Sequence, residues 1–89
     1  MKPPDIEKAV TTYYTKLEIG TSDICEIFSC GRNTALKLKK SVREEMARRG
    51  KLPFVVDHVS TKIAFEVWGL DVADLEGRLK KIRQLEGLK

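Results

Sequence analysis

Arg32, Asn33, Thr34 and Lys37 fall in one short stretch, and their side chains are of the kinds that read base edges. A guanidinium donates to guanine O6 and N7 together, and a carboxamide pairs in both directions with adenine N6 and N7. Ser22, Lys39, Lys40 and Arg43 lie around them, with hydroxyl and cationic groups suited to phosphate oxygens. Contacts to phosphate fix position, and contacts to bases fix sequence preference. Charge is concentrated in the same place: residues 32–51 hold eight Lys and Arg against two Glu. The chain as a whole is +4, so the remaining residues sum to −2. A localised basic block is the footprint that a polyanion requires.

Other chemistry finds little support. Cys25 and Cys30 are separated by four residues, and His58 is the one histidine. A zinc site needs four ligands in closer-knit pairs, so small buried hydrophobes are the better reading of both thiols. No metal, cofactor or small-molecule ligand is expected. His58 stands beside Asp57 without a nucleophile, which suggests a turn rather than acid–base work. With no paired carboxylates and no nucleophile–base pair, the sequence reads as non-enzymatic. Tyr13 and Tyr14 have the faces to stack on bases, but helical spacing assigns at least one to the core. Trp68 reads as a core anchor.

These side chains must be held by helices. Ile6, Val10, Tyr13, Tyr14 and Leu17 recur at three and four, which predicts a helix over about 5–15. Leu17 to Gly20 then forms a connector with Leu17 and Ile19 as buried anchors. Thr21, Ser22 and Asp23 supply N-cap side chains for a short helix carrying Ile24, Ile27 and Phe28. After Ser29-Cys30-Gly31, a longer helix runs to Gly50 with Ala35, Leu38, Val42 and Met46 inward. At about 100° per residue, Asn33, Thr34, Lys37, Lys40, Ser41 and Glu44 face outward. Arg32 and Arg43 flank that face, and Leu36 lies at its margin. Residues 51–59 contain Pro53 and a Val/Phe cluster, which predicts one short strand or a hairpin turning at Asp57-His58. Ser60 caps a helix over 61–68, with Ile63, Ala64, Val67 and Trp68 inward and Gly69 ending it. Asp71 caps the last helix, 71–86, with Asp74 completing a capping box and Glu76 facing Lys80. No internal repeat, linker or low-complexity tract stands out.

Residues 21–49 thus have the organisation of a helix-turn-helix. Counting from Thr21, positions four and eight (Ile24, Phe28) point into the angle. The fifth and fifteenth (Cys25, Ala35) are small at the crossing. The tenth and eighteenth (Cys30, Leu38) are apolar. Ser29 holds the ninth place, where Gly is common. The string from Thr21 to Ala35 resembles the short helix-turn-helix of excisionase-like and MerR-like regulators from bacterial mobile elements. That resemblance implies a bacterial DNA-binding protein for transcription or recombination, with a β wing after the reading helix, here at 51–59.

The expected fold is therefore all-α, a single helix-turn-helix domain over 1–89 with four to five helices. At this length roughly 60–65% of the unfolded surface is buried, too little for a deep catalytic cleft with its own supporting shell. No run approaches the roughly 18 apolar residues that span a bilayer, and no secretory leader is evident, so a cytoplasmic protein is expected. Two readings stay open for the stripe Val72, Leu75, Leu79, Ile82 and Leu85: packing on the domain's own core, or homodimerisation. Two functions also remain: sequence-specific binding of double-stranded DNA, or an interaction adaptor whose basic helix meets an acidic protein.

Overall fold

The computed structural model describes residues 3–87 and is mainly helical, with five helices and one pair of very short strands. Helix α1 (Ile6–Thr15) starts where the Asp5 carboxylate accepts the Lys8 N–H at 3.0 Å. It buries Ala9 and Thr12 and sets the half-buried Tyr13 ring 5.0 Å from Phe65. Strand β1 (Glu18–Ile19) follows. Only one of the two expected anchors there is buried. Ile19 is fully enclosed, while Leu17 is exposed, because an extended chain sends successive side chains to opposite sides.

Helix α2 (Thr21–Phe28) is capped by Gly20 rather than by the expected Thr21, Ser22 or Asp23. The Asp23 carboxylate instead reaches back, accepting the Gly20 N–H at 3.0 Å and the Lys16 ammonium at 2.6 Å. Ser29 takes a left-handed conformation, φ 49°, and the Cys30 N–H closes the turn on the Cys25 carbonyl at 3.2 Å. Helix α3 (Arg32–Arg48) then crosses α2 at the small Ala35 and ends before Gly50, whose φ is +67°. Its buried face is Ala35, Lys39, Val42 and Met46. The expected inward position was Leu38, which is only half-buried, and its carbonyl accepts the Trp68 indole N–H at 3.3 Å.

The tract 51–58 carries no strand, so the expected wing is absent as a hairpin. The chain instead makes a loop whose Phe54 and Val55 N–H groups donate to the Glu18 carboxylate at 2.7 and 3.0 Å. Strand β2 (Val59–Ser60) pairs antiparallel with β1, Ile19 opposite Val59. Helix α4 (Thr61–Trp68) is capped by the Ser60 hydroxyl, which accepts the Ile63 N–H at 3.3 Å, and ends at Gly69 with φ +72°. Its Phe65 lies in the centre of the core, a burial that contributes about 1.5–3 kcal/mol. Val67 faces out instead of in.

Helix α5 (Val72–Gly87) is capped by Asp71, whose carboxylate accepts from the Ala73 and Asp74 N–H groups. Asp74 pairs with Arg78 at 2.9 Å instead of completing a capping box, and among the described residues Glu76 forms no ion pair with Lys80. The first half of α5 packs on α1 through Leu75, while Ile82 and Leu85 are exposed.

A repeat emerges that the sequence did not announce. Thr61 follows Thr21 by 40 residues, and each opens an eight-residue helix preceded by a two-residue strand. At the same offset, the left-handed residues are Ser29 and Gly69. The turn-closing bond from Cys30 to Cys25 recurs as Leu70 to Phe65, and that from Ala35 to Gly31 recurs as Leu75 to Asp71. The two strands pair with each other, so the two β–α–turn–α units meet at Ile19 and Val59. The long helices part company afterwards: α3 packs on α2 and α4, whereas α5 turns onto α1. Small residues, Cys25 and Ala35, let the first pair cross closely; Phe65 and Leu75 hold the second pair apart.

Candidate nucleic-acid interface

Helix α3 projects its polar edge away from the body. Arg32, Asn33, Thr34, Lys37, Lys40 and Arg43 are all exposed, as is Ser22 on the first turn of α2. The rigid part is beneath them: Ala35 and Val42 are fully enclosed and fix the rotation of the helix. The N-terminal half of α3 therefore offers a carboxamide, a hydroxyl and an ammonium on its outward face, with the Arg32 guanidinium at its flank. Leu36, partly exposed beside them, adds an apolar contact.

The basic block is not uniform. Arg48 and Arg49 pair with Glu45 at 2.6 and 2.8 Å, and Arg49 also reaches Glu66 at 2.8 Å. The hydrogen bond from Arg49 holds the Glu45 carboxyl below the usual carboxylate range, against a smaller opposing effect of burial. Arg49 thus serves the junction of α3 with α4, while Arg48 pairs within α3. Among the described residues, Arg32, Lys37, Lys39 and Lys40 form no ion pair, and Arg43 meets only the exposed Asp57 carboxylate, at 3.3 Å. The unneutralised charge lies toward the start and middle of α3.

Lys39 is placed differently from its expected neighbours. It is only 7% exposed, and its ammonium donates to the Thr21 hydroxyl at 3.4 Å. Sequence reasoning set it among outward phosphate contacts, because an inward Leu38 puts position 39 at the margin. Reading 35, 39, 42 and 46 as the buried row would have found it. Thr21 and Asp57 were missed as members of this surface. Thr21 reads from sequence as a cap alone, and Asp57 becomes a neighbour of Arg43 only through the course of the 51–58 loop.

Other candidate chemistry remains dispersed. Among the described residues no three His, Cys, Asp or Glu gather as a metal site. Cys25 and Cys30 are half-buried free thiols, and burial with Cys25 alongside pushes the Cys30 thiol up. Among the described residues, no helix is long and apolar enough to cross a membrane. In comparisons with known proteins, no family model, curated protein or solved structure matches this chain.

Proposed function

We propose that this chain binds double-stranded DNA in a sequence-selective way, with α3 against the major groove, as a transcriptional regulator or a recombination accessory factor. One observation carries the reading: the edge bearing Arg32, Asn33, Thr34, Lys37 and Lys40 stands in solvent on a helix whose opposite face is locked in the core. Ser22 and Arg43 extend that edge toward the flanking backbone. Occupancy is the mechanism, with counterion release supplying affinity and Arg32 and Asn33 supplying preference. A homodimer through the exposed Ile82 and Leu85 end of α5 belongs to the same reading, and sedimentation at rising concentration tests it.

Selection from a random duplex pool, followed by binding titrations at several salt concentrations, is the experiment. Log affinity is expected to fall steeply and linearly with log salt. Lys40→Ala should weaken all duplexes alike. Asn33→Ala should relax preference at one position by about 1–3 kcal/mol. Binding that ignores salt would sink the proposal.

The adaptor reading has an observation of its own. Leu17, Leu52 and Phe54 line one open surface hollow and are each more than 80% exposed, an apolar patch that suits a protein partner. Nucleic acid co-purifying with the protein, seen as excess absorbance at 260 nm, favours the first reading over this one.

A further inference from the structure

A cleft of about 330 Å³ opens between α3, the start of α2 and the loop, bounded by Thr21, Arg32, Lys39, Lys40, Arg43 and Asp57. Its inner surface holds the nine-tenths-buried Lys39, whose ammonium has the Thr21 hydroxyl as its recorded partner and, among the described residues, no carboxylate. A buried ammonium without a counter-ion is costly, because desolvation is not repaid by attraction. Arg32 and Lys40 place two more cations at the same opening, and among the described residues neither is paired with a carboxylate. An anion seated there would remove the conflict.

The second β–α–turn–α unit is comparable in chain position, although α5 turns onto α1 and not back onto α4. The residues equivalent to Thr21 and Lys39 are Thr61 and Leu79. Leu79 is an ordinary apolar residue, and the Thr61 hydroxyl is buried with no hydrogen-bond partner. The threonine that opens the second short helix has no ammonium bonded to it, so the Lys39–Thr21 pair is particular to the first unit. The Asp57 carboxylate, 3.3 Å from Arg43 and exposed at the mouth, indicates which charge the cleft attracts.

We propose that this cleft is a seat for one phosphate group, with Lys39 and Thr21 at its floor and Arg32, Lys40 and Arg43 as its walls. The inference deepens the DNA reading: the group is a backbone phosphate of the duplex, which fixes how deep α3 sits in the groove. Asp57 gives up Arg43 as the phosphate enters.

The test uses the full chain, its Lys39→Leu variant and its Asp57→Asn variant, with two probes: a short duplex and inorganic phosphate. Lys39→Leu is expected to raise the Tm, to weaken duplex binding about tenfold at low salt, and to shrink the salt slope by about one. Asp57→Asn keeps a residue tolerant of the left-handed φ of 68° and is expected to tighten duplex binding. Phosphate is expected to raise the Tm of the wild type and not that of Lys39→Leu. If the wild type fails to bind any duplex while phosphate still stabilises it through Lys39, the seat stands and the DNA reading falls. If Lys39→Leu binds duplex with unchanged affinity and slope and responds to phosphate like the wild type, the seat is overturned. A Tm lowered by Lys39→Leu also overturns it, since the ammonium would then be serving the fold.

Discussion

At the scale of single residues, Ser29 and Gly69 make the same turn with different side chains, and the comparison has a measurable outcome. Both are left-handed, at φ 49° and 72°. That region strains an L-residue by roughly 1–2 kcal/mol and leaves glycine unstrained, though glycine loses more chain entropy on folding. Ser29→Gly is therefore expected to stabilise by about 0.5–1 kcal/mol, and Gly69→Ala to destabilise by about 1 kcal/mol. Urea unfolding of both variants checks this, and a Ser29→Gly protein no more stable than the parent would refute it. The position was legible from the sequence because glycine is common at the ninth place of such a unit. What was not legible was that Ser29 keeps the turn anyway, closed by the Cys30 to Cys25 bond.

At the scale of elements, helix ends were easy to read and helix rotation was not. Ser60 and Asp71 cap as expected, and Gly50 and Gly69 terminate as expected, whereas α2 is capped by Gly20 and not by Thr21, Ser22 or Asp23. Capping is local chemistry, set by side chains within a turn of the end. The rotation of α3 depends instead on what packs against it. Leu38 was the natural inward choice, yet Trp68 and α4 draw the row through Lys39, Val42 and Met46. Asn33, Thr34 and Lys37 are exposed as expected, because they lie near the centre of the outward arc, where a small rotation matters least.

The start of α2 carries a pH signature. Burial pushes the Asp23 carboxyl up, but the Lys16 hydrogen bond, the Gly20 N–H and the nearby His58 together hold it below the usual range. A folded value below the unfolded one means stabilisation that is complete at neutral pH and lost as pH falls through the acid range, below about 4. Comparing urea midpoints at neutral and acid pH should show the wild type losing more stability than Asp23→Asn. Identical losses would mean that Asp23 contributes nothing to the acid sensitivity.

At the scale of the whole molecule, the hidden repeat and the missing wing have one cause. Few residues coincide at the 40-residue offset (Thr21 with Thr61, Glu26 with Glu66, Lys40 with Lys80), so composition and pattern do not reveal it. What recurs is backbone geometry: strand, helix, left-handed turn, helix. The tract 51–59 looked like a wing because Phe54, Val55 and Val56 favour extended chain. Only its last residue enters a strand, because the partner is β1, far back in the sequence, and β1 presents just Glu18 and Ile19. Long-range pairing of such short strands leaves almost no local trace.

The closure of the two halves by Ile19 and Val59 leaves the exposed loop after α3 tied down chiefly by the Glu18 bonds to Phe54 and Val55 and by the Asp57 pair with Arg43. Lengthening the segment around Leu52–Val56 with those contacts kept changes only the entropy of joining two ends that already meet, and doubling such a span costs on the order of 0.6 kcal/mol. Extra glycine and serine spliced in at that point should give a protein that melts close to the parent and presents the same basic edge. The molecule has a natural place to accept a graft, such as an epitope or a tether, without disturbing the helix beside it.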